Sequence, residues 1–191
     1  MELVARSGSL AIRGMRDETA DYELVARWRG EPHVHEWWDP DLPVPTMDSV
    51  RSEYRLDLQP ESPDMVCIVE FEGRPIGFVQ FYPWSAYQEE LRDLGRDLLD
   101  ASWGLDLFIG ESDSLGQGIG PSIIDLVCRH LFEERGASVV VLWTAMDNHR
   151  AVRAYEKARF ERIGEVLDTD TKRGQRVLSL VMARRPPTPA T

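Results

Sequence analysis

Three glycines at alternate positions, in Leu115-Gly116-Gln117-Gly118-Ile119-Gly120, are the residues of this chain best suited to hold a ligand. They lie between an apolar run, Leu105-Asp106-Leu107-Phe108-Ile109, and a segment with helical spacing from Pro121 to Arg135. A strand, a glycine turn and a helix in that order form a backbone cradle for phosphate. Without Cβ atoms the chain can approach a ligand closely, and the helix aims unpaired N–H groups and its positive dipole end at the anion. The spacing Gly-x-Gly-x-Gly, more than halfway along the chain, differs from the Gly-x-Gly-x-x-Gly dinucleotide fingerprint, and a P-loop's lysine and hydroxyl are absent. A plain flexible turn is the competing reading. Downstream, Asn148 and Tyr155 are seven residues apart and share one helix face. Each alone is an N-cap and a half-buried aromatic; together with the glycines they can line one groove.

These groups need elements to position them. Leu10-Ala11-Ile12-Arg13 reads as a first strand, and Leu24, Val25 and Trp28 give Asp17 to Arg29 a helical period closed by Gly30-Glu31-Pro32. His33 to Pro45 has no regular pattern. Thr46 can cap a second helix that runs to about Leu58. Met65 to Phe71 and Ile76 to Tyr82 form a hairpin around Glu72-Gly73-Arg74. An acidic connection from Pro83 to Ser102, partly helical, leads to a strand at Trp103 to Ile109. After the cradle, Ile124, Val127, Cys128 and Leu131 mark the buried face of a helix that ends at Gly136. Ser138 to Ala145 is a buried central strand, and Asn148 to Ala158 a short helix capped by Asp147 or Asn148. Phe160 to Val166 and Val177 to Ala183 are final strands joined by a polar turn, Asp168 to Gly174. The expected fold is α/β: a mixed sheet of about seven strands with about four helices, in the order β-α-α-β-β-β-α-β-α-β-β. Residues 1–185 read as one domain, with a disordered Pro-rich tail from Pro186.

Composition narrows the partners. At 191 residues, 42% hydrophobic and 29% charged, the chain suits one globular domain. No apolar run approaches the ~20 residues that span a bilayer, and Met1 to Gly14 lacks a signal peptide's apolar region, so a cytoplasmic protein is expected. Cys67 and Cys128 read as small core residues. His33 and His35 lack a third ligand at suitable spacing, so no metal site is expected. A net charge of −11 repels nucleic acid and anionic membranes and favours cations. Acids cluster between Glu36 and Asp48 and between Glu89 and Asp113, as surface charge or as a cation site.

The run Asp147-Asn148-His149-Arg150-Ala151-Val152-Arg153-Ala154-Tyr155-Glu156-Lys157-Ala158-Arg159-Phe160, set after the strand and Gln117-Gly118-Ile119-Gly120, resembles the GCN5-related N-acetyltransferase (GNAT) superfamily from Leu10 to Ala183. Glu36-Trp37-Trp38, Pro75 to Gln80, Gly104-Leu105-Asp106, Leu115 to Gly120 and Tyr155 to Ala158 are similar to the aminoglycoside 6′-N-acetyltransferase branch. The resemblance implies a mostly antiparallel sheet whose central parallel pair splays around acetyl-CoA. It implies that backbone groups of Leu107, Phe108 and Ile109 pair with the pantetheine arm like an added strand. It implies that amides of Gln117, Gly118, Ile119 and Gly120 hold the pyrophosphate, with Asn148 also on the cofactor. Relatives tend to carry an acid late in the fifth strand, where this chain has Trp143 and then Asp147.

Acetyl transfer needs a neutral amine and a proton donor for the leaving thiolate. An aliphatic ammonium must therefore lose a proton to a carboxylate or a water chain. Asp106, an acid within an apolar strand, is the candidate base, because an unpartnered buried carboxylate is costly and points to a cation beside it. A carboxylate held by backbone N–H groups at a strand bulge is the alternative. The resemblance implies Tyr155 as the thiolate's proton donor. A cationic small-molecule amine, an aminoglycoside's 6′-amine foremost, would explain acids in loops: Asp39, Asp41, Asp93, Asp97, Asp100, Asp168 and Asp170. Trp37 and Trp38 can stack on sugar rings or face a cation, or pack as core. A hydroxylysine acyltransferase of siderophore type, a peptide or protein N-acetyltransferase and a non-catalytic acyl-CoA-binding module are the alternatives. A monomer or homodimer is expected.

Overall fold

The computed structural model describes residues 3–87, 101–170 and 175–187, with 168–170 and 175–176 as backbone only. Eight strands form one sheet in the order β1-β2-β3-β4-β5-β6-β8-β7. They are β1 Leu3–Ser7, β2 Leu10–Gly14, β3 Met65–Phe71, β4 Arg74–Pro83, β5 Ser102–Ile109, β6 Val139–Ala145, β7 Glu161–Asp170 and β8 Gln175–Arg184. The helices are α1 Thr19–Arg29, α2 Pro32–Trp38, α3 Met47–Tyr54, α4 Ile119–Glu134 and α5 His149–Lys157.

Strand alternation divides the core. Cys67, Val69, Val79, Phe81 and Leu105 face one side and pack with Ile123, Val127, Leu131 and Tyr155 from α4 and α5. Their neighbours Val66, Ile68, Phe78 and Phe108 face the other side, against Tyr22, Val25 and Trp28 of α1 and Val50 and Tyr54 of α3. Both faces of β3 to β5 are thus covered, which accounts for their continuous apolar runs.

Every neighbouring pair is antiparallel except β5 and β6. That parallel contact lasts only for Ser102↔Val139 and Trp103↔Val140. Beyond it the strands part, and Leu105 to Ile109 have β4 on one side only. Gly110 N–H donates to Ile76 O, and the antiparallel ladder alternates. Phe108 and Asp106 therefore turn their backbone groups toward β4, while Leu105, Leu107 and Ile109 present theirs to the gap.

Among the described residues there are eight strands and five helices, one strand and one helix beyond the expected seven and four. The added strand β1 is an exposed edge with no buried alternation to reveal it. The added helix α2 lies where no pattern was expected: Pro32, which stops α1, also begins α2, since a proline at the first helical positions loses no hydrogen bond. Asp168 and Asp170 are not in a turn. The last hairpin extends further than its apolar residues, and the two acids pair by backbone with Val177 and Gln175. The expected acidic connection with Asp93, Asp97 and Asp100, and residues 171–174 and 188–191, lie outside the described residues. No helix among the described residues is long and apolar enough to cross a membrane.

Candidate active site

The glycine cradle is a backbone device in fact as well as in pattern. Gly116 and Gly118 have φ of +76° and +79°, a region costly for any residue with a Cβ. Gly118 is the N-cap of α4, and no side chain caps that helix. Its first turn contains no acid, and the nearest hydroxyl, Ser122 Oγ, donates to Gly118 O instead of accepting from an amide. The orphan N–H groups of Ile119 and Gly120 are therefore left for an external anion.

A cavity of about 550 Å³ opens from this turn along β5 and α5. Leu107, Phe108, Ile109, Gly118, Ile119, Gly120, Asn148 and Tyr155 line it, together with Trp37 and Trp38 from α2. Gln117 does not; it borders a neighbouring cavity and its side-chain amide donates to Asp113 O. The pairing expected of Phe108 also fails, because its backbone groups belong to the β4 ladder. Leu107 offers both its N–H and its C=O to an added strand, and Ile109 its N–H, since Ile109 O already pairs with His33 Nε2 at 3.0 Å. Asn148 caps α5, its Oδ1 accepting from Ala151 N at 3.1 Å, and still borders the cavity.

A smaller cavity of about 250 Å³ continues through the splay. Asp106, Tyr155, Trp37, Trp38, Trp143 and Ser179 meet there. Asp106 is not at a bulge, since the β4–β5 register is continuous from Gly77 to Pro83. Its Oδ2 accepts from Gln80 Nε2 at 3.0 Å and from Tyr82 OH at 3.2 Å. Gln80 is its direct cross-strand partner. The Tyr82 ring reaches it by lying over Gly104, where a Cβ would stand 2.5 Å from Tyr82 Cε2. Sequence reasoning assigned no role to Gln80 or Tyr82, because both act through strand register.

Tyr155 is 7% exposed. Burial, then the negative charge of Asp106, pushes its phenol well above the usual tyrosine range. It therefore stays protonated at neutral pH, as a donor requires. Above both groups stands α2. Trp38 packs edge-on against Phe108 at 4.8 Å and Phe78 at 5.8 Å, so it is wall and core at once. Trp37 is more exposed and its indole N–H donates to Glu36 Oε1. Trp143 closes the far side, stacked on Trp84 at 4.9 Å.

Two of the acids expected around this site, Asp39 and Asp41, lie elsewhere. Asp39 is 1% exposed and both its oxygens accept from Arg29 at 2.6 Å, so its charge is spent inside the fold. Asp41 is exposed, has φ +61° and borders neither cavity. The side chains of Asp93 and Asp168 lie outside the described residues. His33 and His35 bond to carbonyls, of Ile109 at 3.0 Å and Arg29 at 3.2 Å.

Comparison with known proteins gives the same picture. A family model for the acetyltransferase (GNAT) domain matches residues 17–167. Aminoglycoside N(6′)-acetyltransferase type 1 of Klebsiella pneumoniae is 28% identical over 166 residues, which cover 85% of this chain and 79% of the relative. The crystal structure of aminoglycoside acetyltransferase AAC(6′)-Ib in complex with coenzyme A and kanamycin has a TM-score of 0.77 at 25% identity, over 93% of this chain and 95% of that one. Spermidine N-acetyltransferase from Vibrio cholerae shares the fold, with a TM-score of 0.72 at 16% identity over 94% and 96% of the two chains. Because the matched span takes in both strands of the splay, the cradle and the helix that carries Tyr155, the chain belongs to the GNAT family of acetyltransferases.

Proposed function

We propose that this enzyme transfers the acetyl group of acetyl-CoA to a primary amine of an aminoglycoside, at the 6′ position. One observation carries the reading: Asp106 and Tyr155, from opposite sides of the β5–β6 splay, face one cavity that continues into the cleft below the phosphate cradle. Support for the acceptor comes from the relatives, which are aminoglycoside N(6′)-acetyltransferases over most of the chain.

The amine enters as an ammonium and gives a proton to the Asp106 carboxylate, directly or through water. Its lone pair attacks the thioester carbonyl, whose oxygen takes negative charge. The cleft-facing N–H of Leu107 or Ile109 is placed to bond that oxygen. Collapse expels the thiolate, and the Tyr155 O–H bonds to the sulfur and supplies its proton as the C–S bond breaks. The acylated nitrogen returns its extra proton through water to the tyrosinate, which leaves a neutral amide, and Asp106 gives the first proton to solvent. Gln80 and Tyr82 hold the base in place. The Trp37, Trp38 and Trp143 rings present apolar faces to sugar rings. The free thiols of Cys67 and Cys128 support a cytoplasmic setting for this reaction.

The test is thiol release from acetyl-CoA with kanamycin or tobramycin, against a hydroxylysine derivative and a basic peptide. Mass spectrometry and NMR then identify the acetylated nitrogen. Turnover with aminoglycosides and acetylation at N6′ support the proposal. Efficient transfer to the lysine derivative with none to aminoglycosides overturns it.

A further inference from the structure

The short helix α2 is a wall of both cavities. Trp37 and Trp38 line the cofactor cleft and the smaller chamber that holds Asp106, whereas His33 and Val34 line the cleft. A helix of seven residues has too few internal bonds to be stable on its own, so its position is set by what it is tied to. Val34 and Trp38 anchor it in the core beneath. Two histidines add polar ties, and these lead in different directions. His35 Nδ1 bonds to Arg29 O at 3.2 Å and joins α2 to α1. His33 Nε2 bonds to Ile109 O at 3.0 Å and joins α2 to the end of β5. A carbonyl can only accept, so the His33 proton is on Nε2.

His33 also meets the opposite wall, because its carbonyl accepts from Arg150 Nη2 of α5 at 3.0 Å. Ile109, His33 and Arg150 thus form a chain of bonds from β5 to α5, the two elements that flank the cleft. Ile109 is engaged on both sides. Its C=O is held by His33, the next amide, Gly110 N–H, donates to Ile76 O at 2.8 Å, and its own N–H faces the gap. A cofactor bonded to that N–H fixes the residue from which α2 hangs, and it packs against the imidazole that lines the same cleft. Trp37, four residues after His33 and on the same helix face, carries the effect into the chamber of Asp106. We propose that His33 is a positioning residue that couples the two substrate sites: by tying Ile109 of β5 to the helix that carries Trp37 and Trp38, it tightens the acceptor chamber when the cofactor fills the cleft. The proposal rests on the acetyl-CoA and aminoglycoside readings above.

The test is the calorimetric Kd of kanamycin for the full-length enzyme, with and without saturating CoA, which has no acetyl group to transfer. The native enzyme should bind kanamycin about fivefold tighter or more when CoA is present, the low end of coupling between sites, and kanamycin should tighten CoA by the same factor. His33→Phe keeps a ring in the cleft but cannot donate to Ile109 O. Its two kanamycin Kd values should become equal, and its KM for kanamycin should rise by about the coupling lost. His33→Gln, whose side-chain amide can donate to the same carbonyl, should restore most of the coupling. His35→Phe removes the tie to α1 and should lower Tm while the coupling stays. The same kanamycin Kd with and without CoA in the native enzyme overturns the proposal, as does coupling that survives in His33→Phe. Equal loss in His35→Phe also overturns it, by making the stability of α2 the cause. A native enzyme that binds CoA but no kanamycin in either state overturns it together with the acceptor reading, and one that binds no CoA overturns it together with the cofactor reading. Both results differ from kanamycin binding that ignores CoA.

Discussion

Asp39 is the residue at which sequence and structure disagree most sharply, and Asp39→Asn separates the two accounts. As a loop acid it would contact an acceptor ammonium; in the fold it is the C-cap of α2, with both oxygens on Arg29. Arg29 and Asp39 are 4% and 1% exposed. Removing one charge of such a pair costs about 3–5 kcal/mol, because the other is left buried. Here Arg29 keeps one bond, from Nη1 to Glu53 Oε2 at 2.7 Å, which puts the cost near the lower end, about 3 kcal/mol. For a domain of this size each kcal/mol lowers Tm by about 2–4 °C, so Asp39→Asn should melt about 6–12 °C early. The assay is thermal unfolding paired with KM for kanamycin, taken well below the transition. KM should be unchanged. Arg29→Met combined with Asp39→Leu should recover most of the loss, since an apolar pair needs no desolvated charge. A normal Tm with a raised kanamycin KM would refute the structural account and return Asp39 to the acceptor site.

Tyr155→Phe should lower kcat by about 10²–10⁴-fold while KM for acetyl-CoA stays the same; unchanged turnover would remove the phenol from the mechanism. Gly118→Ala forces a Cβ into φ +79°, at a cost of about 1–2 kcal/mol, and should weaken acetyl-CoA binding as the cradle relaxes. Gly120→Ala, inside α4 with only Ile109 Cδ1 at 3.9 Å near the new Cβ, should leave Tm unchanged or slightly raised. Burial pushes the Asp21 carboxyl up, but hydrogen bonds from Arg13 and Arg16 prevail and bring it from 3.8 to about 2. A depressed carboxylate stabilises the fold above its unfolded pKa and loses that contribution as pH falls through the folded one. Asp21 therefore supplies about 2 kcal/mol that disappears between pH ~4 and ~2. Urea midpoints of the native protein and Asp21→Asn should converge across that window; a constant gap would show that another group governs it.

What the sequence discloses depends on how far apart the cooperating atoms are along the chain. The cradle is legible because its requirement is local: Gly116 and Gly118 supply positive φ, and the uncapped α4 follows at once. Asp106 is legible as an anomaly, an acid in an apolar strand, but its partners are not. Gln80 reaches it only through the β4–β5 register, and Tyr82 only because Gly104 leaves room for its ring. Nothing in a one-dimensional pattern distinguishes Gln80 from a solvent-facing glutamine. The same limit makes Asp39 look like a loop acid, since Arg29 becomes its partner only when α2 folds back after Pro32. The Phe108 error has a related origin. An apolar run states that β5 is buried, but which of its amides face the gap follows from one ladder bond, Gly110 N to Ile76 O. The site is thus a composite: a phosphate turn written in alternate glycines, and the proposed proton-transfer pair, which can form because two parallel strands part after two paired positions and let Tyr155 and Asp106 face the same space.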